Sequence, residues 1–104
     1  MMDQIKEIST TEVEEMLIKE QDVVLIDVRE DEEIANGIIE GALHIPLKQI
    51  PKATDSLDRS KEYILVCRSG GRSMNAALYM KEQGFNVSNM IGGMIDWQGE
   101  VIIK

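Results

Sequence analysis

Cysteine, histidine, proline and aromatic side chains are all scarce in this chain of 104 residues, which holds one cysteine, one histidine, two prolines and four aromatics. A lone cysteine excludes an internal disulfide, and no Cys/His cluster has metal-ligand spacing, so neither a disulfide scaffold nor a metal site is expected, and no cofactor is implied. Basic residues are also a minority, 11 against 19 acids, which gives a formal net charge of −8. Nucleic acid is therefore not expected as a partner, because neutralising phosphates requires a basic face. No apolar run approaches the roughly 20 residues needed to cross a bilayer, so no membrane partner is expected. The opening Met-Met-Asp-Gln-Ile-Lys-Glu-Ile lacks the basic region and apolar stretch of a secretory signal. With one unpaired thiol, the expected location is the reducing cytoplasm.

What remains is an ordinary soluble composition, 43% hydrophobic and 29% charged. The length suits one domain spanning residues 1–104, with a core built from Ile, Val, Leu and seven Met rather than from aromatics. Charge is unevenly placed. Residues 7–40 carry twelve acids against Lys19 and Arg29, whereas residues 59–82 carry five bases against Glu62 and Glu82. The positive segment contains the single cysteine, Cys67, which points to a local anion site on an acidic protein.

Periodicity gives alternating strands and helices. Ile5–Ile8 reads as a short strand, and Ser9-Thr-Thr-Glu12 has capping-box spacing for a helix through about Lys19, with Val13, Met16 and Leu17 as its buried stripe. Asp22–Val28 is a continuous apolar run of the kind found in parallel strands covered on both faces. Glu30–Asn36 reads as acidic helical turns stopped by Gly37. Ala42–Ile45 reads as a short strand ended by Pro46, and Leu47–Leu57 as short helical turns interrupted by Pro51. Tyr63–Val66 is the central strand. Ser73–Gln83 reads as a helix with Met74, Ala77 and Leu78 on one side and Gly84 just past its end. Asn86–Ile91 is a further strand, followed by a last helical turn through Trp97 and a tail, Val101–Lys104, that pairs at an edge or packs. The pattern predicts an α/β fold with a mainly parallel sheet, whose ligands bind beyond the carboxyl ends of the strands.

Cys67 lies at such an end. It is followed by Arg68-Ser69-Gly70-Gly71-Arg72-Ser73 and then by the helix. A thiolate there faces unpaired helical amides and the positive end of the helix dipole. Arg68 and Arg72 add positive charge. Such surroundings can bring a cysteine pKa from about 8.5 into a range of roughly 3.5–7.5, which makes a nucleophile at neutral pH. The plainer alternative is a buried strand cysteine.

Four segments together resemble the rhodanese-like sulfurtransferase family. They are Leu25-Ile-Asp27-Val28-Arg29 with Glu33 after it, Gly41-Ala42-Leu43-His44-Ile45-Pro46, Cys67-Arg-Ser-Gly-Gly-Arg-Ser73, and Gly92-Gly93-Met-Ile-Asp-Trp97. The chain departs from the family pattern at Ile34, where an aromatic is usual, and at Ile38, where His is usual. The resemblance implies a three-layer fold, a mainly parallel sheet flanked by helices, with the segment from Cys67 to Arg72 curled into an anion cradle. It also implies sulfur transfer, in which Cys67 takes sulfur from a small anionic donor such as thiosulfate, holds it as a persulfide and yields it to a thiol or protein acceptor.

On this reading Cys67 is catalytic, and Arg68, Ser69, Gly70, Gly71, Arg72 and Ser73 bind substrate. Gly70 and Gly71 supply backbone angles closed to other residues. Arg72 either contacts substrate or braces the loop through a carboxylate. Ser73 either donates to the sulfur or, the favoured reading, caps the helix. Asp27 and Arg29 read as a structural ion pair, and His44 as packing, since an ionised thiol needs no base. Two other classes remain. A phosphatase or arsenate reductase uses a Cys-x5-Arg loop, but Arg72 closes Cys-x4-Arg, a smaller ring. A non-catalytic binding module would not need Cys67 in an intact loop.

Overall fold

A computed structural model of the chain describes residues 4–103. Met1–Asp3, the start of the segment in which no secretory signal is expected, and Lys104 of the tail lie outside the described residues. Five strands form one sheet: β1 (Lys6–Ile8), β2 (Val23–Asp27), β3 (Leu43–His44), β4 (Glu62–Val66) and β5 (Asn86–Met90). Their spatial order is β1-β5-β4-β2-β3, and every pairing is parallel. The helices are α1 (Thr10–Ile18), α2 (Asp31–Ile34), α3 (Ile50–Ala53), α4 (Gly71–Glu82) and α5 (Gly93–Asp96), with short 3₁₀ turns on either side of α3.

Local signals explain much of this. Ser9 caps α1 by accepting from the Glu12 amide at 3.1 Å, while Glu12 Oε1 accepts from the Ser9 amide at 3.0 Å. Only Val13 of the expected α1 stripe is fully buried; Met16 and Leu17 are half-buried. The third strand is shorter than expected, Leu43–His44. Helix α4 begins at Gly71, two residues before the expected start. Ser73, Ala76, Ala77 and Met80 are buried, while Leu78 is exposed. Val101–Ile103 supplies an edge pairing, since Ile38 and Ile102 exchange backbone hydrogen bonds of 2.9 and 2.8 Å.

Strand alternation divides the core in two. Tyr63, Leu65 and Cys67 point to the layer that holds Ala76, Ala77 and Met80 of α4, and Ile64 and Val66 point to the layer that holds Val13 of α1. From β2 the chain moves outward to edge strand β3; from β4 it moves the opposite way to β5. The carboxyl ends of β2 and β4 therefore flank a topological switch point, where open parallel sheets place their ligands.

Candidate active site

Cys67 directly follows β4 on the face covered by α4, and its sulfur is buried, the residue being 1% exposed. The chain turns from strand to helix within Arg68–Gly70. Gly70 makes that turn at φ +110°, in the left-handed region that disfavours a Cβ, and is the residue preceding α4. This turn aims the first amides of the helix at the sulfur. The Gly70 amide donates to Cys67 Sγ at 3.0 Å, and Ser73 Oγ stands 3.3 Å from it. Gly71 differs from its neighbour. It has no positive φ, and a Cβ there would meet open space, so the expectation that both glycines supply forbidden angles holds for Gly70 alone.

Ser73 requires a correction. It is the third residue of α4, and Gly70, which has no side chain, takes the capping position. The Ser73 hydroxyl turns inward instead, 2.5 Å from Asn89 Oδ1 and 3.2 Å from the Gly70 carbonyl. Asn89, fully buried near the end of β5, escaped the sequence reading. It lies in Asn86-Val87-Ser88-Asn89-Met90, where three of five residues are polar, so nothing in the sequence marks it out.

Burial of the sulfur, the largest single influence, pushes the Cys67 thiol up. The Ser73 hydroxyl, followed by the amides of Ser73, Gly70 and Ser69, outweighs it, and the thiol lies below its ordinary value. Hydrogen bonds, not the two arginines, dominate this shift. Arg72 does feel the sulfur's charge, but its guanidinium makes a two-pronged pair with Glu33, both bonds 2.7 Å. That pairing holds the Glu33 carboxyl down to about 2. Arg72 is thus paired with a carboxylate of α2, the partner that the loop-bracing alternative requires. Arg68 is exposed and makes no ion pair among the described residues. With Arg29, Glu33 and Ile95 it lines a shallow cleft of about 260 Å³. Ser69 is exposed and offers the sulfur only its amide.

The loop is held from below. The amides of Met94 and Ile95 donate to the carbonyls of Cys67 and Arg68 at 2.9 and 3.0 Å. Gly93 packs so closely on those carbonyls that a Cβ would collide with both, at 2.6 Å from Cys67 O. Gly93 therefore clamps the loop, and Trp97 is a half-buried member of the opposite core layer. Just past the neighbouring strand β2, Arg29 Nη2 donates to Asp27 Oδ2 at 2.8 Å, a buried ion pair, and to the Gly37 carbonyl at 2.9 Å. His44 Nε2 lies 2.7 Å from the Arg29 carbonyl, which joins β3 to that pair rather than to the sulfur. Among the described residues no group of three His, Cys, Asp or Glu side chains gathers to hold a metal.

Fold and site together define an α/β protein that presents a hydrogen-bonded, acidified thiol at the switch point of a parallel sheet. The rhodanese-like domain model matches residues 9–100. A Bacillus subtilis protein provisionally named a sulfurtransferase is 50% identical over 97 residues, covering 93% of this chain and 94% of its own. The thiosulfate sulfurtransferase GlpE of Coxiella burnetii is 33% identical over 94 residues, covering 89% and 87%. The crystal structure of a rhodanese-like domain protein from Staphylococcus aureus superposes with a TM-score of 0.90 at 37% identity, covering 96% of this chain and 99% of that one. This chain belongs to the rhodanese-like family.

Proposed function

We propose that this protein is a sulfurtransferase that moves sulfane sulfur through a persulfide on Cys67. The observation that carries the reading is the sulfur itself, held by the Gly70 amide at 3.0 Å and the Ser73 hydroxyl at 3.3 Å at the end of the central strand. In the first half-reaction the Cys67 thiolate attacks the outer sulfur of thiosulfate. The donor's S–S bond breaks, sulfite leaves with the bonding pair, and the negative charge rests on the outer sulfur of the new persulfide. In the second, an acceptor thiolate attacks that outer sulfur, the bond to Cys67 breaks, and the cysteine thiolate is restored. No proton transfer is required, in keeping with a histidine engaged elsewhere.

Arg68, exposed at the cleft beside the loop, would draw in the anionic donor. The loop amides would hold the charge on the persulfide. Sulfurtransferase names among the relatives support the reaction class. The Cys-x4-Arg spacing and the commitment of Arg72 to Glu33 speak against a phosphatase, which needs that arginine on its substrate. With one thiol in this chain, the acceptor is an outside thiol or protein, and no cofactor takes part; the proposed setting is the cytoplasm.

Intact mass after incubation with thiosulfate, or with a cysteine desulfurase and cysteine, tests the proposal. Wild type should gain the mass of one sulfur, removable by a thiol, and Cys67→Ser should gain none. A wild type that stays unmodified with both donors, or a Cys67→Ser variant that still gains sulfur, defeats it.

A further inference from the structure

The hydroxyl of Ser73 has one proton and three acceptors within reach: Asn89 Oδ1 at 2.5 Å, the Gly70 carbonyl at 3.2 Å and Cys67 Sγ at 3.3 Å. The orientation of the Asn89 amide is fixed by chemistry. The Gly70 carbonyl can only accept, and it lies 3.1 Å from Asn89 Nδ2, so the NH₂ group must face it and Oδ1 must face Ser73. Two oxygens at 2.5 Å need a proton between them, and only Ser73 has one to give. While the thiol is neutral the hydroxyl donates to Asn89 and shows the sulfur a lone pair. That suits a neutral Cys67 S–H, which can donate to Ser73 Oγ. A thiolate needs the reverse, so the hydroxyl must turn away from Asn89 to serve it.

We infer that Asn89 is a positioning residue which competes with Cys67 for the Ser73 proton and so sets how readily the sulfur ionises. The residue is buried, as is Ser73, so neither group has water as a ready alternative partner. Neither carries charge. Of the elements that meet at the site, α4 carries in its first turn Arg72, which feels the sulfur's charge and pairs with Glu33, the loop carries Arg68, β2 ends at the Asp27–Arg29 pair, α5 carries Asp96 and β5 carries no charge. Competition predicts opposite signs for two removals. Without Ser73 the thiolate loses a donor and forms less readily. Without the Asn89 acceptor the hydroxyl is left with the Gly70 carbonyl and the sulfur, and the anionic thiolate, the stronger acceptor of the two, forms more readily.

The inference takes Cys67 to be the nucleophile of the proposed sulfur transfer, and its test reads the sulfur directly. The rate of iodoacetamide alkylation of Cys67 is followed against pH in wild type, Ser73→Ala, Asn89→Leu and the double variant. The midpoint should rise in Ser73→Ala, fall in Asn89→Leu, and be the same in the double variant as in Ser73→Ala. Ser73→Thr, which keeps the hydroxyl, should restore the response to Asn89→Leu. A midpoint that rises or stays fixed in Asn89→Leu, or that moves equally with and without Ser73, overturns the inference. Should Asn89→Leu fail to fold, Asn89→Ala removes the same acceptor without adding apolar bulk, and the same outcomes decide. A wild type that takes up no sulfur would sink the transfer reaction and leave this comparison of midpoints standing.

Discussion

Two parallel strands end side by side at one rim of the sheet, with Asp27 of β2 in register with Val66 of β4, and their ends are finished in opposite ways. After β2 the polar groups close on one another. Arg29 wraps back onto Asp27 and caps the Gly37 carbonyl, and the following helix, α2, is a single turn. After β4 the chain stays open. Gly70 swings the twelve-residue α4 so that its amides meet the Cys67 sulfur, and Arg68 is left unpaired among the described residues. A buried charge must find a partner, whereas a buried sulfur can alternate between neutral and charged when donors are in place. The first junction is thus closed by an internal ion pair, the second turns its donors onto a sulfur, and the Glu33–Arg72 pair joins them.

The sharpest way to break this contrast is to unpair the closed junction. Asp27→Asn keeps the shape but leaves the Arg29 charge, on a side chain only 8% exposed, with no counterion. Removing one partner of a buried pair costs about 3–5 kcal/mol. Urea denaturation should show a loss of that order, while the alkylation profile of Cys67 in the folded protein stays where it was. If instead stability holds and the profile moves, the two strand ends act as one site.

At the open junction the opposite pattern is expected. Arg68→Ala removes an exposed charge with no ion pair, so the denaturation midpoint should be unchanged. A lost charge-assisted contact with thiosulfate is worth roughly 1.5–3 kcal/mol, or about 10- to 150-fold in kcat/KM, and should appear as a raised KM. Steady-state kinetics with thiosulfate checks this; an unaltered KM assigns donor recognition to the loop amides.

What was legible from sequence follows the range of the interaction that fixes each feature. The Ser9–Glu12 capping box, the apolar runs of β2 and β4 and the Cys67 loop are local, and each reads directly. The α4 boundary is also local, but its determinant is a backbone angle at Gly70 and not a side chain. Side-chain preference alone therefore assigns Ser73 the capping position that Gly70 takes, and groups exposed Leu78 with buried Ala77. The partners of the site are not local. Glu33 and Arg72 are 39 positions apart, and Asn89 meets Ser73 from 16 positions away. No spacing rule links such residues; only the strand order, which sets β2 and β5 on either side of β4, brings them to one place.

The smallest expected effect concerns the link between the junctions. Glu33 and Arg72 have side chains 29% and 35% exposed, so solvent screens the pair and its worth is roughly 0.2–1 kcal/mol at neutral pH. Its pH dependence has a definite sign. Arg72, more than any other neighbour, holds the Glu33 carboxyl down to about 2 in the folded protein, against 4.5 for the unperturbed group. The folded state therefore binds the Glu33 proton less readily than the unfolded one. The stabilisation is complete above pH 4.5 and disappears as the pH falls towards 2. Stability measured by urea denaturation across that window should fall slightly more steeply for wild type than for Glu33→Gln, and the curves should converge at the acid end. Equal slopes would mean that Glu33 adds nothing linked to its ionisation. Because Arg72 is also the last arginine of the loop, Glu33→Gln tests which way that charge works: released from its brace, Arg72 can lie nearer the thiolate, and a fall in the Cys67 alkylation midpoint would show that Glu33 keeps its charge in check.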